Sequence, residues 1–370
     1  MKKISKLGLS ALCGSLAAVS AVKAGEMTVT GNAHLTYTTV GNATTGQPLG
    51  VKTNLSFVGN GELDGGQTFS VTIAHTDQNA WSSANISLVT NNLGTIKLSS
   101  AEGGSGIGGY DDNMPRAVEE VWDAGVSTNI NLQKGVGSST NVQWETPRVG
   151  ATTLRLAWTP SNDGTQPTDK AVGGPKKSDR AGMAYDAVLR INPSFGAFGA
   201  DFFVGYSETS LDNNDPSDKS IQDHDQEGVA GLTLDIGPVS IGGQASIEYM
   251  PTRTAATTEY YGTSSVGIAF NVNDDLSISY GEMRSIKGNS KTTQNEATAL
   301  SANEATTGTG STSPDTSGYQ YTPKTEMEGE SWQIAYTMGG LSFKYADTEV
   351  SNNAYSKGTS SDAQLFIMSM

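Results

Sequence analysis

The stretch Leu232-Thr233-Leu234-Asp235-Ile236-Gly237-Pro238-Val239-Ser240-Ile241 decides the fold. Leu232, Leu234 and Ile236 alternate with Thr233 and Asp235, Gly237-Pro238 turns the chain, and Val239 and Ile241 resume the alternation toward Ile247 and Tyr249. Successive side chains of a strand point to opposite faces, so each half of this hairpin has one apolar and one polar face. The turn residues fit a tight link between antiparallel neighbours.

The same period of two runs outward through nearly the whole chain. Near the N-terminus Met27, Val29, Gly31, Ala33, Leu35 and Tyr37 face one way and Thr28, Thr30, Asn32, His34 and Thr36 the other. Between these ends come Leu55 and Phe57, Phe69 to Ile73, Ile86 and Leu88, Ile96 and Leu98, Val142 and Trp144, Leu154 to Trp158, Tyr185 to Leu189 and Phe198 to Tyr206. Beyond the quoted stretch come Val266 to Phe270, Leu276 to Tyr280, Trp332 to Met338, Leu341 to Tyr345 and Phe366 to Met370. That makes about 16 strands, an even number as single-chain bacterial barrels have.

The connections alternate in length. Short links occur at Leu63-Asp64-Gly65-Gly66, Asn91-Asn92-Leu93-Gly94, Pro147 to Gly150, Asn192 to Gly196, Gly237-Pro238, Asn273 to Asp275 and Gly339-Gly340. Longer ones are expected over 41–50, 76–82, 103–138, 159–179, 208–226, 251–259, 287–328 and 347–360. Short turns on the periplasmic side and long loops outside are the pattern of a transmembrane antiparallel β-barrel. Aromatic residues agree: Tyr37, Trp158, Tyr206, Tyr249, Tyr280 and Tyr345 fall near the outer ends of outward-running segments, and Trp144, Phe270 and Tyr336 near the inner ends of returning ones. Two girdles at the headgroup levels result. A secreted β-sandwich or solenoid adhesin also alternates, but it explains neither girdles nor loop parity.

The first 24 residues read as a cleavable export signal, with basic Lys2, Lys3 and Lys6, an apolar run from Leu7 to Val19, and small residues around Ala24. Residues 25–370 are then the barrel. Removing the signal takes away four lysines and no acid, so the formal charge falls from -15 to -19. So acidic a chain is no nucleic-acid binder. The single cysteine, Cys13, lies in the signal, so the mature chain has neither disulfides nor thiolate metal sites.

Taken together, the signal, the strand beginning Met27-Thr28-Val29-Thr30-Gly31, the Leu93-Gly94-Thr95-Ile96-Lys97 and Ile236-Gly237-Pro238-Val239-Ser240 turns and the long third loop resemble the Gram-negative general porins, particularly the alphaproteobacterial kind. The resemblance implies a homotrimer of 16-stranded barrels in the cell outer membrane, amid lipid and lipopolysaccharide, that passes ions and small hydrophilic solutes passively. It also implies that the third loop, 103–138, folds inward. The chain departs from the family in ending Phe366-Ile367-Met368-Ser369-Met370 rather than in an aromatic residue; either further residues follow or the terminal signal is variant, which bears on assembly rather than on fold.

The third loop carries the most distinctive chemistry. Its glycine-rich start, Gly103 to Gly109, permits a sharp bend, and the spacing of Asp112 or Asn113, Pro115 and Gly125 predicts a short capped helix with Val118, Val121 and Trp122 packed on the wall. Asp111, Asp112, Glu119, Glu120 and Asp123 are the candidate constriction acids; a solvated helix outside the barrel is the alternative. Strand parity points His34, Lys52, Lys97, Arg155, Arg190 and Lys344 into the lumen. Of these Lys52, Lys97, Arg155 and Lys344 are the candidate basic lining, since Arg190 lies near a periplasmic turn. Cations facing an acidic loop set up a transverse field that selects polar solutes. Each cation can instead pair with a nearby acid such as Glu145, Asp186 or Glu248.

Enzyme-like signals are weak. Gly104, Gly106 and Gly109 fit a dinucleotide-binding string without the βαβ unit it needs. Asp223 to Gly228 begins like a calcium loop but has Leu234 where the twelfth-position Glu belongs. His34, His75 and His224 lie on separate segments without ligand spacing. No catalytic, metal or cofactor site is expected, apart from divalent cations at acidic loops such as Asp212, Asp215 and Asp218. A barrel lipase using His75, a surface adhesin displaying 287–328, and a substrate-selective channel are the competing functions.

Overall fold

The computed structural model describes residues 26–41, 47–63, 65–76, 79–162, 182–196, 198–210, 224–250, 258–289 and 325–370. The signal segment and the acidic stretch around Asp212 to Asp218 lie outside them. The strands are β1 (Met27–Val40), β2 (Leu49–Glu62), β3 (Thr68–Thr76), β4 (Asn79–Thr90), β5 (Gly94–Ser100), β6 (Asn141–Glu145), β7 (Thr152–Thr159) and β8 (Ala184–Ile191). They continue with β9 (Ser194–Phe195), β10 (Phe198–Thr209), β11 (Asp225–Ile236), β12 (Val239–Tyr249), β13 (Thr258–Asn271), β14 (Leu276–Asn289), β15 (Thr325–Met338), β16 (Leu341–Ser351) and β17 (Ser360–Ser369). β9 is a two-residue piece of the turn before β10, which leaves sixteen full strands.

Every full strand pairs antiparallel with its sequence neighbours, and β1 pairs with both β2 and β17, so the sheet closes on itself. Closure leaves no free edge, which is what a bilayer without hydrogen-bonding solvent demands. The seam extends to the chain end: Ala33 and Met370 exchange two backbone hydrogen bonds of 3.1 Å.

Alternation now has a direction. The apolar sets of the sixteen segments are the exposed large side chains, among them Leu55, Phe57, Ile86, Phe202, Ile241, Ile268, Ile334 and Phe366. Their polar and small neighbours turn inward and many are buried, as Ser279, Ser285, Ser331, Gln333 and Thr348 are. A water-soluble sandwich has the reverse arrangement. The girdle residues Tyr37, Trp158, Tyr206, Tyr249, Tyr336 and Tyr345 are exposed on the outer surface, and Tyr280 and Trp332 stack there with ring centroids 4.5 Å apart.

Two expectations about connections change. The loop expected over 76–82 is mostly strand: β3 runs to Thr76, β4 starts at Asn79, and a register shift between Ala74 and Thr76 absorbs the irregularity. Polar side chains there had masked a strand that continues past the apolar band. For the same reason β13, β14 and β15 each run 14 residues, longer than the roughly 10 that cross a bilayer.

Candidate functional site

Residues 101–140, between β5 and β6, form a hairpin laid along the inner wall. The outgoing leg starts at a 3-10 turn, Gly106–Tyr110, where Gly106 N donates to Gln143 Oε1 (3.2 Å) and Ile107 N to Asp186 Oδ2 (2.9 Å). It crosses β12 to β15, with Asn113 N on Gln244 Oε1 (2.6 Å), Ala117 N on Ser279 Oγ (2.8 Å) and Val118 N on Gln333 Oε1 (2.8 Å). The bend packs Val118 and Ala124 with Ala346, Leu365 and Ile367 of β16 and β17. The returning leg is held by acids: Glu248 accepts from Asn131 Nδ2, Glu227 accepts from Lys134 N (2.6 Å) and Gly135 N (2.7 Å), and Asp186 accepts from Val136 N (3.2 Å).

Asp186 thus grips both legs at once. It can do so because Gly106 and Gly135 both stand at φ +56°, and a Cβ on either would run into its carboxylate. Farther along, Gly281 on β14 makes room for Met114 Cε, 2.6 Å from where its Cβ would lie. Met114, Val121, Trp122 and Val126 then pack with Met283, Met327 and Val350 of the wall. Of the stripe expected from Val118, Val121 and Trp122, the last two sit here on the barrel interior, while Val118 packs with the bend.

The helix expected between Asp112 and Gly125 does not form. Only one turn closes, with Asp123 N and Ala124 N both donating to Glu120 O (3.0 and 2.9 Å). A short isolated helix is hard to nucleate, and here Ser279 and Gln333 take the Ala117 and Val118 N–H groups that a helix would need for its own ladder.

Asp111 apart, the candidate acids divide into two groups. Arg116, unremarked in the sequence, bridges Asp112 (3.0 Å) and Glu120 (2.5 Å), each four residues away. Burial raises the carboxyls of Glu119 and Asp123, against the wall cation Lys344, the loop's own Arg116 and then Lys52 at Glu119, and against Lys52 at Asp123. Burial with help from Asp112 lifts Asp111 to about 6, and burial lifts Glu120 to about 7 in spite of Arg116. Carboxylate oxygens of Glu119, Glu120 and Asp123 approach within 4.8 Å of one another. They are the one such trio among the described residues, but Arg116 already occupies Glu120.

The four candidate cations also divide. Lys97 pairs with Glu102 (2.5 Å), which Ser99 Oγ also contacts at 2.7 Å. Arg155 pairs with Glu145 (2.9 Å) and lies 5.5 Å from the Tyr110 ring centroid. Arg190 pairs with Asp201 (2.5 Å). Lys52 and Lys344 have no carboxylate partner of this kind among the described residues. The anchors Asp186, Glu227, Glu248, Gln143, Gln244 and Gln333 were not singled out as loop holders. Their signal is a long polar side chain at an inward position among serines, threonines and glycines.

A model of the Gram-negative porin family matches residues 8–303. No curated protein matches the chain in sequence. Among solved structures, a loop L8 deletion mutant of OmpT from Vibrio cholerae is similar at 8% identity over 94% of this chain and 99% of that one, with a TM-score of 0.56. OmpF of Salmonella typhi follows at 10% identity, 92% and 97% coverage and TM-score 0.55. An anion-selective porin from Comamonas acidovorans gives 10%, 93% and 99%, and 0.54. At these identities the likeness is one of fold.

Proposed function

The chain belongs to the Gram-negative porin family, and on that premise we propose that its third loop narrows the channel to a charged eyelet. The protein is an outer-membrane channel for passive diffusion rather than an enzyme. Asp111, Asp112, Glu119, Glu120 and Asp123 line the loop side of the eyelet, and Lys52, Lys97, Arg155 and Lys344 the wall side. These charges are not equal. Arg116 offsets Asp112 and Glu120, and local acids offset Lys97 and Arg155, so the transverse field falls chiefly between the Glu119 and Asp123 carboxylates and the Lys344 and Lys52 ammoniums. Such a field orders water and favours polar solutes over apolar ones of equal size.

What supports this reading is that Glu119 and Asp123 belong to the loop held inside the closed sheet, where Lys344 and Lys52 are the wall cations that act on them, beside the loop's own Arg116 at Glu119. Planar-bilayer recordings of Glu119→Gln with Asp123→Asn test it. The expected outcome is a shift of the zero-current potential in a salt gradient toward anions; unchanged conductance and ion preference overturn the assignment. Liposome swelling with solutes of equal size separates general diffusion, where rate follows size, from a dedicated solute site.

The assembly we propose is a homotrimer, in keeping with the trimer form of in-vitro folded OmpT from Vibrio cholerae, whose fold this chain shares. Outside, the partner is lipopolysaccharide, bridged by divalent cations to outward acids just beyond the girdle. Glu282, Glu330, Glu349 and Asp362 stand in cross-strand register there.

A further inference from the structure

The last outer loop, between β16 and β17, has a conformation that its sequence does not favour. Asn352, Ala354 and Tyr355 all lie at left-handed φ of 51°, 53° and 57°. Non-glycine residues are seldom found there, and alanine and tyrosine less than asparagine. Three within four positions persist only where surrounding contacts over-determine them.

Those contacts reach across the mouth to the third loop. Asn353 Nδ2 donates to Ser127 O (3.0 Å), Asn131 N donates to the Tyr355 hydroxyl (3.3 Å), and that hydroxyl meets Ser285 Oγ of β14 at 2.8 Å. The Tyr355 ring packs on the cluster that holds Ile130 and Leu132, and lies 5.5 Å from the Tyr261 ring. Lys287 Nζ stands 5.9 Å from each of the two ring centroids. On the other side, Asn352 Nδ2 donates to Glu326 O (2.8 Å), and Asn352 Oδ1 accepts from Gly358 N (2.9 Å). The left-handed turn is what brings Tyr355 inward onto residues 127–132.

The two legs of the third loop differ in how they are held. The outgoing leg sits on Gln244, Ser279 and Gln333 and is sunk into the wall at Met114 and Val121. Among the described residues, the returning leg between 127 and 131 has wall bonds from Glu248 and Thr263, packs Ile130 on the wall cluster, and is bonded on the mouth side by Asn353 and Tyr355.

We propose that the loop from Asn352 to Thr359 is a strap that fixes the returning leg of the third loop, with Tyr355 as the positioning residue that sets the width of the outer mouth. The proposal rests on the third loop lying in the channel, but not on which of its charges face solutes. Tyr355→Phe keeps the ring and drops both hydroxyl bonds; Tyr355→Ala drops the ring as well; neither touches the acids or lysines of the eyelet.

Single-channel recordings in planar bilayers decide it. Tyr355→Ala is expected to raise the frequency of brief current fluctuations about tenfold, and Tyr355→Phe by less, with ion preference unchanged in both. Because the mature chain has no cysteine, Asn353→Cys with Ser127→Cys provides a tether. When oxidised it is expected to suppress the fluctuations of the Tyr355→Ala background, and a reductant to restore them. Fluctuations equal to wild type in Tyr355→Ala, or a tether without effect under either redox condition, overturn the strap. A changed ion preference in Glu119→Gln with Asp123→Asn is read separately, so failure of the eyelet assignment is distinguishable from failure of the strap.

Discussion

Asp186 shows how much one inward side chain can organise. Its carboxylate accepts from Ile107 N and Val136 N, and two left-handed glycines keep the space around it clear. Asp186→Ala leaves two buried N–H groups without acceptor, at about 1–3 kcal/mol for each. The expected result is a lower unfolding temperature in detergent and faster proteolysis within 101–140; Asp186→Asn, which keeps an acceptor oxygen, loses much less. The loop acids give a second outcome. With Glu120 lifted to about 7 and Asp111 to about 6, the loop sheds charge as pH falls from 8 to 5, and the ratio of cation to anion permeability drops over that interval. Glu120→Gln removes the upper part of the drop. Because these pKa values are raised by folding, the folded chain binds protons more readily than the unfolded one. Their contribution to stability therefore grows as pH falls through 7 and 6, and is fully present below the ordinary values near 4. Equilibrium unfolding at pH 5 and pH 8 measures it.

At the scale of elements, strands were legible and the loop was not. Each strand announced itself because a bilayer on one side and water on the other force strict alternation, as in Leu232, Leu234 and Ile236 against Thr233 and Asp235. Parity also placed Lys52, Lys97, Arg155 and Lys344 on the inward face. What it did not give was pairing. Whether Arg155 faces the eyelet or closes on Glu145 depends on side-chain reach, not on period, and Arg116 was hidden inside an expected helix. That helix failed because its spacing signal is local, whereas the competitors for its N–H groups, Ser279 and Gln333, lie 162 and 215 residues away. The competition has a measurable consequence. Gln333→Ala strips Val118 and Glu119 of their acceptor, and hydrogen exchange at these amides is expected to speed up about 5–30-fold, as a loss of 1–2 kcal/mol implies, while the strands stay protected. Unchanged exchange at 118 and 119 shows instead that the loop turn holds itself.

For the whole molecule, the outer surface couples the barrel's depth in the membrane to its stability. On β14 to β17 the girdle of Tyr280, Trp332, Tyr345 and Phe366 is followed two to four residues farther out by the row Glu282, Glu330, Glu349 and Asp362, each directly opposite the next. Tyr280 bridges the first two, its hydroxyl donating to Glu282 (2.8 Å) and Glu330 (2.7 Å), while Arg284 is engaged one step farther out with Glu326 and Glu328. Like charges directly opposite on neighbouring strands destabilise a sheet by about 0.2–1 kcal/mol a pair, and at exposed positions salt screens the repulsion. The row thus marks where the wall leaves hydrocarbon for the charged headgroup layer, and it leaves the outer rim sensitive to its ionic surroundings. Glu330→Gln with Glu349→Gln removes the central repulsions while leaving every ladder bond in place. In detergent at low ionic strength the double variant is expected to unfold at a higher temperature than wild type. Raising sodium chloride to 0.15 M, where the screening length is about 8 Å, is expected to shrink that difference, and millimolar magnesium to shrink it further by bridging the wild-type carboxylates. A gap that stays the same in all three solutions assigns the gain to strand propensity and removes the row's electrostatic role.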